Sequence, residues 1–129
     1  MSIMYKSTRS NSEKVTASQA ILKGLADDGG LFVPDSIPAL DVELEKLAGL
    51  SYQETAYEVM KLFLSDFTKE ELLHCIHGAY DDKFDTKEIA PLVKKDGAFY
   101  LELFHGKTIA FKDMALQILP YFLTTAVKK

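Results

Sequence analysis

The chain has 129 residues, 47% apolar and 26% charged, an ordinary folded composition that excludes disordered, collagen-like and coiled-coil classes. Fifteen Lys and Arg against 19 Asp and Glu leave a net charge of −4, without the basic excess or stripe of a nucleic-acid binder. Cys75 is the single cysteine, which excludes an internal disulfide and favours a reducing, cytoplasmic setting. The start of the chain lacks the apolar run of a signal peptide. The longest uncharged run, Met114 to Val127, has 14 residues and contains Pro120, whereas a membrane-spanning helix needs about 18 or more.

Ile3-Met4-Tyr5 opens as a brief strand. Thr16 with Gln19 three residues later forms a capping box, and the spacing predicts a helix over Thr16 to Leu25 with Ala17, Ala20, Ile21, Leu22 and Leu25 on its apolar side. Asp27-Asp28-Gly29-Gly30 breaks it, leaving Leu31-Phe32-Val33 extended ahead of Pro34. Val42 to Ala48 is helical and stops at Gly49. Ser51 with Glu54 and Thr68 with Glu71 are two further capping boxes, each ahead of apolar residues at helical spacing. After Asp85 the texture changes. Ile89–Val93 and Ala98–Phe104 flank Lys94-Lys95-Asp96-Gly97, a hairpin signal in which Pro91 favours a sheet edge. His105-Gly106-Lys107-Thr108 turns the chain, and one last helix is predicted from near Phe111-Lys112-Asp113 to the end, with Leu116, Leu119 and Leu123 as its core face. The expected fold class is mixed α/β: a helix-rich region with short strands over residues 1–85, then a hairpin and a lysine-bearing helix over 86–129.

The strand–turn–helix unit from Phe99 to Val127 is where open α/β folds place ligands, because free N–H groups and the helix dipole favour anions there. Gly106-Lys107-Thr108 matches the tail of G-x-x-x-x-G-K-[ST], but position 101 is Leu101, which disfavours a phosphate-loop nucleotide binder. Lys112 is a second candidate. At a helix start the dipole repels its ammonium, and Ile109-Ala110-Phe111 would desolvate it, both favouring the neutral amine that Schiff-base chemistry with an aldehyde requires. On spacing alone, a solvated lysine followed by Asp113 as a first-turn acid is the simpler reading. His74 and His77 share a helix face, but apart from His105 no further Cys or His accompanies them, so packing is favoured over a metal site. Cys75, beside Leu73 and Ile76, is expected as a buried thiol. Lys94-Lys95 and Lys128-Lys129 read as solvated charges, and Arg9 as an anion contact or a surface ion pair.

Phe104-His105-Gly106-Lys107-Thr108-Ile109-Ala110-Phe111-Lys112-Asp113 resembles the pyridoxal-phosphate lysine segment of threonine synthases, whose pattern is F-H-G-P-T-x-A-F-K-D. Residues Tyr5 to Arg9 (Y-K-S-T-R) and Gly24 to Pro34 (G-L-A-D-D-G-G-L-F-V-P) resemble that family's opening, in the same order. Lys107 departs from the family's proline. The resemblance implies a fold-type-II enzyme that uses pyridoxal 5′-phosphate to convert O-phospho-L-homoserine and water into L-threonine and phosphate, with no nucleic-acid or membrane partner. By carry-over, Lys112 binds the cofactor covalently and then moves protons at Cα and Cβ, Phe111 packs beside the cofactor, and His105, Thr108 and Asp113 have supporting roles. No metal is implied. The seven glycines include no cofactor-sized phosphate cradle and none lies beyond Lys112. The expectation is therefore an N-terminal portion of a longer enzyme, inactive on its own and either self-associating or marginally stable, with the missing loops in a catalytic domain after residue 129. Two readings stand beside it: a dehydratase-like fold-type-II enzyme, whose opening would not match Gly24–Pro34, and a non-catalytic interaction domain if 129 residues are the whole gene product.

Overall fold

The computed structural model describes residues 2–10 and 14–129. In chain order they form β1 (Tyr5–Ser7), β2 (Lys14–Val15), α1 (Ala17–Lys23), β3 (Phe32–Pro34), α2 (Leu44–Leu47), α3 (Tyr52–Phe63), α4 (Lys69–Ala79), β4 (Leu92–Lys95), β5 (Ala98–Leu101), α5 (Asp113–Leu116) and α6 (Leu119–Ala126).

The three capping boxes form as expected. The hydroxyls of Thr16, Ser51 and Thr68 accept the N–H three residues on at 3.2–3.3 Å, and Gln19, Glu54 and Glu71 accept the N-cap N–H in return at 2.8–2.9 Å. Each box satisfies two donors that a helix start leaves without partners, which fixes where α1, α3 and α4 begin. α1 ends at Gly24, whose φ of 73° suits a residue without Cβ. α2 is shorter than expected, a single turn that starts at Leu44 rather than Val42.

The last helix departs from expectation by splitting in two. Pro120 has no N–H to donate to the Leu116 carbonyl and its ring crowds that group, so the ladder breaks between α5 and α6. The break also changes which face is buried. Ile118 and Ala126 enter the core, whereas Leu116 and Leu119, expected there, are 54% and 40% exposed.

β1 is the centre of an antiparallel sheet in the order β2-β1-β3, with Tyr5 opposite both Val15 and Pro34. The two-residue β2 carries too short a pattern for the sequence to announce it. In the β4–β5 hairpin Lys95 pairs with Ala98, so the turn is Asp96-Gly97 alone and Lys94 and Lys95 lie in the strand. Both turn residues have positive φ, 52° and 80°, the handedness that matches strand twist in a two-residue loop. The first strand begins only after Pro91. Ile89, expected within it, instead turns inward with φ 62° and is buried.

The core is organised by α4. Its residues Cys75, Ile76 and Ala79 join Tyr80, Phe84, Ile89 and Ile118 in one cluster, and Leu72 joins Ala17, Leu64, Phe67 and Ala126 in another. α6 packs against both α1 and α4. Cys75 is buried as expected; burial pushes its thiol pKa up, and its sulfur lies 3.5 Å from the Thr125 hydroxyl. Lys129 is not a solvated terminal charge: its amine donates to the Asp66 carbonyl at 2.8 Å and pairs with Glu71 at 2.7 Å. Among the described residues no helix is long and apolar enough to cross a membrane.

Ile76, with 0% exposure, cannot be shortened without leaving a cavity. Ile76→Ala is expected to cost about 2–5 kcal/mol in urea unfolding. Leu44→Ala, at a site 74% exposed, is expected to stay within about 0.5 kcal/mol. Equal losses at the two positions would contradict α4 as the centre of the core.

Candidate active site

The turn from His105 to Lys112 is shaped by its own side chains. A Cβ on Gly106 would lie 2.5 Å from the Asp113 Cβ and 2.6 Å from its Oδ2, so only glycine lets the chain pass there. Asp113 is 2% exposed, and its carboxylate accepts both the Thr108 N–H and the Thr108 hydroxyl at 2.7 Å. The Thr108 hydroxyl and then its N–H hold the Asp113 carboxyl below the usual carboxylate range. Ile109 takes a φ of 62°, a left-handed conformation costly for a β-branched residue, while its N–H donates to the Gly106 carbonyl at 3.0 Å. With the Thr108 N–H committed to a carboxylate, the turn is not the anion cradle of a phosphate loop.

His105 opens the turn with both ring nitrogens occupied. Nδ1 lies 2.5 Å from Asp85 Oδ1 and Nε2 lies 2.8 Å from Glu102 Oε2. Glu102 follows β5, and its N–H donates to the Pro91 carbonyl at 3.0 Å; the Asp85 N–H donates to the His105 carbonyl at 3.1 Å. Sequence reasoning found His105 but not its partners. Asp85 stands 20 positions away in a loop, with no periodicity or motif to single it out.

Lys112 is the N-cap residue of α5. It borders a depression of about 510 Å³ lined by Tyr52, Ala90, Leu101, Leu103, Met114 and Ala115, with Phe111 beside it. Lys112 is exposed, and Ile109 and Phe111 are 74% and 65% exposed, so the desolvation expected from Ile109-Ala110-Phe111 is not supplied by this segment. The floor of the depression is anchored from the core. The Tyr80 hydroxyl donates to the Met114 carbonyl at 2.6 Å, and the Tyr52 ring meets the Tyr80 ring edge-on at 4.9 Å. Burial raises the Tyr80 hydroxyl pKa, which keeps it a donor. A primary amine at an apolar wall is suited to a flat aromatic ring bearing an aldehyde.

The two N-terminal segments singled out in the sequence knit together. Asp28 Oδ1 accepts from the Ser7 hydroxyl at 2.6 Å and from the Gly30 N–H at 2.9 Å. Arg9 Nη1 donates to the Asp28 carbonyl at 3.0 Å. A Cβ on Gly30 would lie 2.1 Å from Ser7 Oγ, so this glycine is required by close approach. His74 and His77 lie on the exposed side of α4, and among the described residues no three His, Cys, Asp or Glu side chains are grouped to hold a metal.

A family model described as threonine synthase N terminus matches residues 4–80. The chain belongs to the threonine synthase family. A threonine synthase of Eremothecium gossypii is 43% identical over 95% of the chain, and one of Pseudomonas aeruginosa is 37% identical over 97%. The chain spans 27% of the length of each of these relatives. The crystal structure of PLP-bound threonine synthase from Brucella melitensis aligns with a TM-score of 0.87 at 35% identity, over 98% of this chain and 28% of that one. Yeast threonine synthase gives a TM-score of 0.85 at 35% identity, over 97% of this chain and 26% of its own. The mixed α/β arrangement expected from the sequence is thus the one found in a segment of threonine synthases.

The buried Asp113 gives the turn a pH signature. Because its folded pKa is depressed below 3.8, the stabilisation is present above that value and is lost as pH falls through the lower folded pKa. Asp113→Asn is expected to flatten the acid limb of stability below about pH 4, followed by circular dichroism in urea. An unchanged acid limb would show that this carboxylate is not what holds the turn.

Proposed function

We propose that the chain is the N-terminal part of a pyridoxal-phosphate-dependent threonine synthase, which converts O-phospho-L-homoserine and water into L-threonine and phosphate. The observation that carries this reading is the F-H-G-K-T-I-A-F-K-D segment, folded so that Lys112 borders an apolar depression wide enough for an aromatic ring. The relative from Brucella melitensis, PLP-bound in its crystal structure, supports the cofactor assignment.

In this reading Lys112 would hold the cofactor through its amine, and Phe111, which borders the same depression, would pack beside it. Bound there, the cofactor supplies an electron sink for carbanion chemistry. The Lys112 amine would also serve as the base and acid that moves protons at Cα and Cβ of the amino acid. His105, Thr108 and Asp113 serve this by fixing the turn from which Lys112 projects. The described residues hold an apolar wall and an amine but no glycine-rich loop for the cofactor phosphate. Residues 86–129 are then the start of a cofactor-binding domain, and 1–85 the region that braces it. The reading implies a cytoplasmic enzyme of amino-acid biosynthesis.

The test is to add pyridoxal phosphate to the product of the longest reading frame containing this chain, reduce with borohydride and map the labelled peptide. The label is expected on Lys112 and to be lost in Lys112→Ala; a label on another lysine overturns the assignment.

The 129 residues alone are expected to behave differently. Phe99, Leu101, Phe104, Phe111 and Leu116 are 49–65% exposed, more apolar surface than a stable monomer leaves uncovered. The chain is expected to self-associate with rising concentration in sedimentation velocity, and to release added pyridoxal phosphate on gel filtration. A monomer that retains one equivalent of cofactor, lost in Lys112→Ala, would show that the site is complete within these residues.

A further inference from the structure

His105 has an arrangement that its role as a motif residue does not explain. A neutral imidazole has one N–H, so it can donate to one carboxylate only and must turn a lone pair toward the other. Here carboxylate oxygens stand at 2.5 Å and 2.8 Å from the two nitrogens. Both contacts are attractive only when the ring carries two N–H groups and a positive charge.

The two carboxylates come from different segments. Asp85 belongs to the loop that leaves α4, and Glu102 to the end of β5. The Asp85 N–H also reaches the His105 carbonyl, so backbone and side chain tie that loop to the turn at one point. Phe104 covers one face of the ring, with centroids 4.6 Å apart. His105 is thus the near anchor of the turn, and the Asp113 carboxylate with its two Thr108 bonds is the far one. Lys112 lies between them.

We propose that Glu102 and Asp85 are positioning residues for Lys112: they grip the two ring nitrogens of His105, and this charged clamp fastens the Lys112-bearing turn to the loop that leaves α4. The role rests on the reading of Lys112 as the cofactor lysine. Glu102 is the stronger half, because its side chain is 28% exposed against 74% for Asp85 and its partner is less screened by water. The bonds to Glu102 and then to Asp85 also hold the His105 pKa above its ordinary 6.5. The sign follows from that direction. The clamp is complete below about pH 6.5 and is released as pH rises through the raised folded value.

The experiment is a pH titration of the isotopically labelled chain by NMR, below the concentration at which copies associate. His105 is expected to titrate above 6.5, and the backbone amides of Thr108 to Asp113 to shift with the same midpoint. In Glu102→Gln the midpoint is expected to fall toward 6.5, and amide exchange at Ile109 and Asp113, whose N–H groups donate to the Gly106 and Ala110 carbonyls at 3.0 Å, to quicken about tenfold at pH 6. Asp85→Asn is expected to give the same changes in smaller measure. Amides of the turn that ignore the His105 titration in the unaltered chain overturn the proposal, whether or not a variant folds. So does a His105 midpoint that falls in Glu102→Gln with exchange at Ile109 and Asp113 unchanged, since that describes a surface ion pair. The borohydride label separates the two failures. A label on Lys112 with uncoupled amides removes the clamp alone, and a label elsewhere removes the cofactor reading and the positioning role with it.

Discussion

Water is excluded from one stripe of α4, and the rest of the molecule is arranged to keep it out. Cys75, Ile76 and Ala79 have no exposed surface and Leu72 almost none, so their burial is the largest apolar gain the helix can make. That demand brings α6 against α4 and gathers Phe84, Ile89 and Ile118 into the same cluster as Cys75, Ile76 and Ala79. It also fixes Tyr80, the residue that caps α4. A buried phenol must find an acceptor, and the one it finds is the Met114 carbonyl, in the helix that Lys112 begins. The position of Lys112 is therefore tied to the core through this hydrogen bond, as well as to the turn that precedes it.

The turn itself is held differently, by polar groups that would be costly to leave unpaired. Asp113 is almost wholly buried, and Thr108 satisfies it twice. Gly106 leaves room for that carboxylate, and the strained backbone of Ile109 is the local cost of closing the loop around it. The outcome is a turn braced at Asp113, in which the Lys112 carbonyl starts α5 and its side chain is exposed. Apolar burial places the segment, and the buried carboxylate gives it shape.

Much of this was legible in the sequence wherever the signal was local. The boxes at Thr16, Ser51 and Thr68 are three-residue patterns whose hydrogen bonds depend on little else, so they form as read. Asp96-Gly97 likewise encodes its own turn, although the register shortened it by two residues. Pro120 was visible too, but an apolar run on both sides of it read as one helix, and the broken ladder turned Leu116 and Leu119 outward. At the site, Lys112, His105, Thr108 and Asp113 stand in one segment and could be named together. Asp85 and Tyr80 could not, because their meaning comes from elements that are distant in the chain and adjacent in space.

The pairing of α1 with α6 bears on how such a chain can be made. Ala17 and Ala126, from opposite ends of the sequence, share one cluster with Leu64, Phe67 and Leu72, and Lys129 closes over Asp66 and Glu71. Contacts of such long range form late, since a large loop must close before they repay its entropy. On the ribosome, α1, α3 and α4 emerge first and hold an open apolar seam until α6 has cleared the exit tunnel. Vectorial synthesis thus leaves α1 and α4 without their α6 partner until the last of these residues has been made.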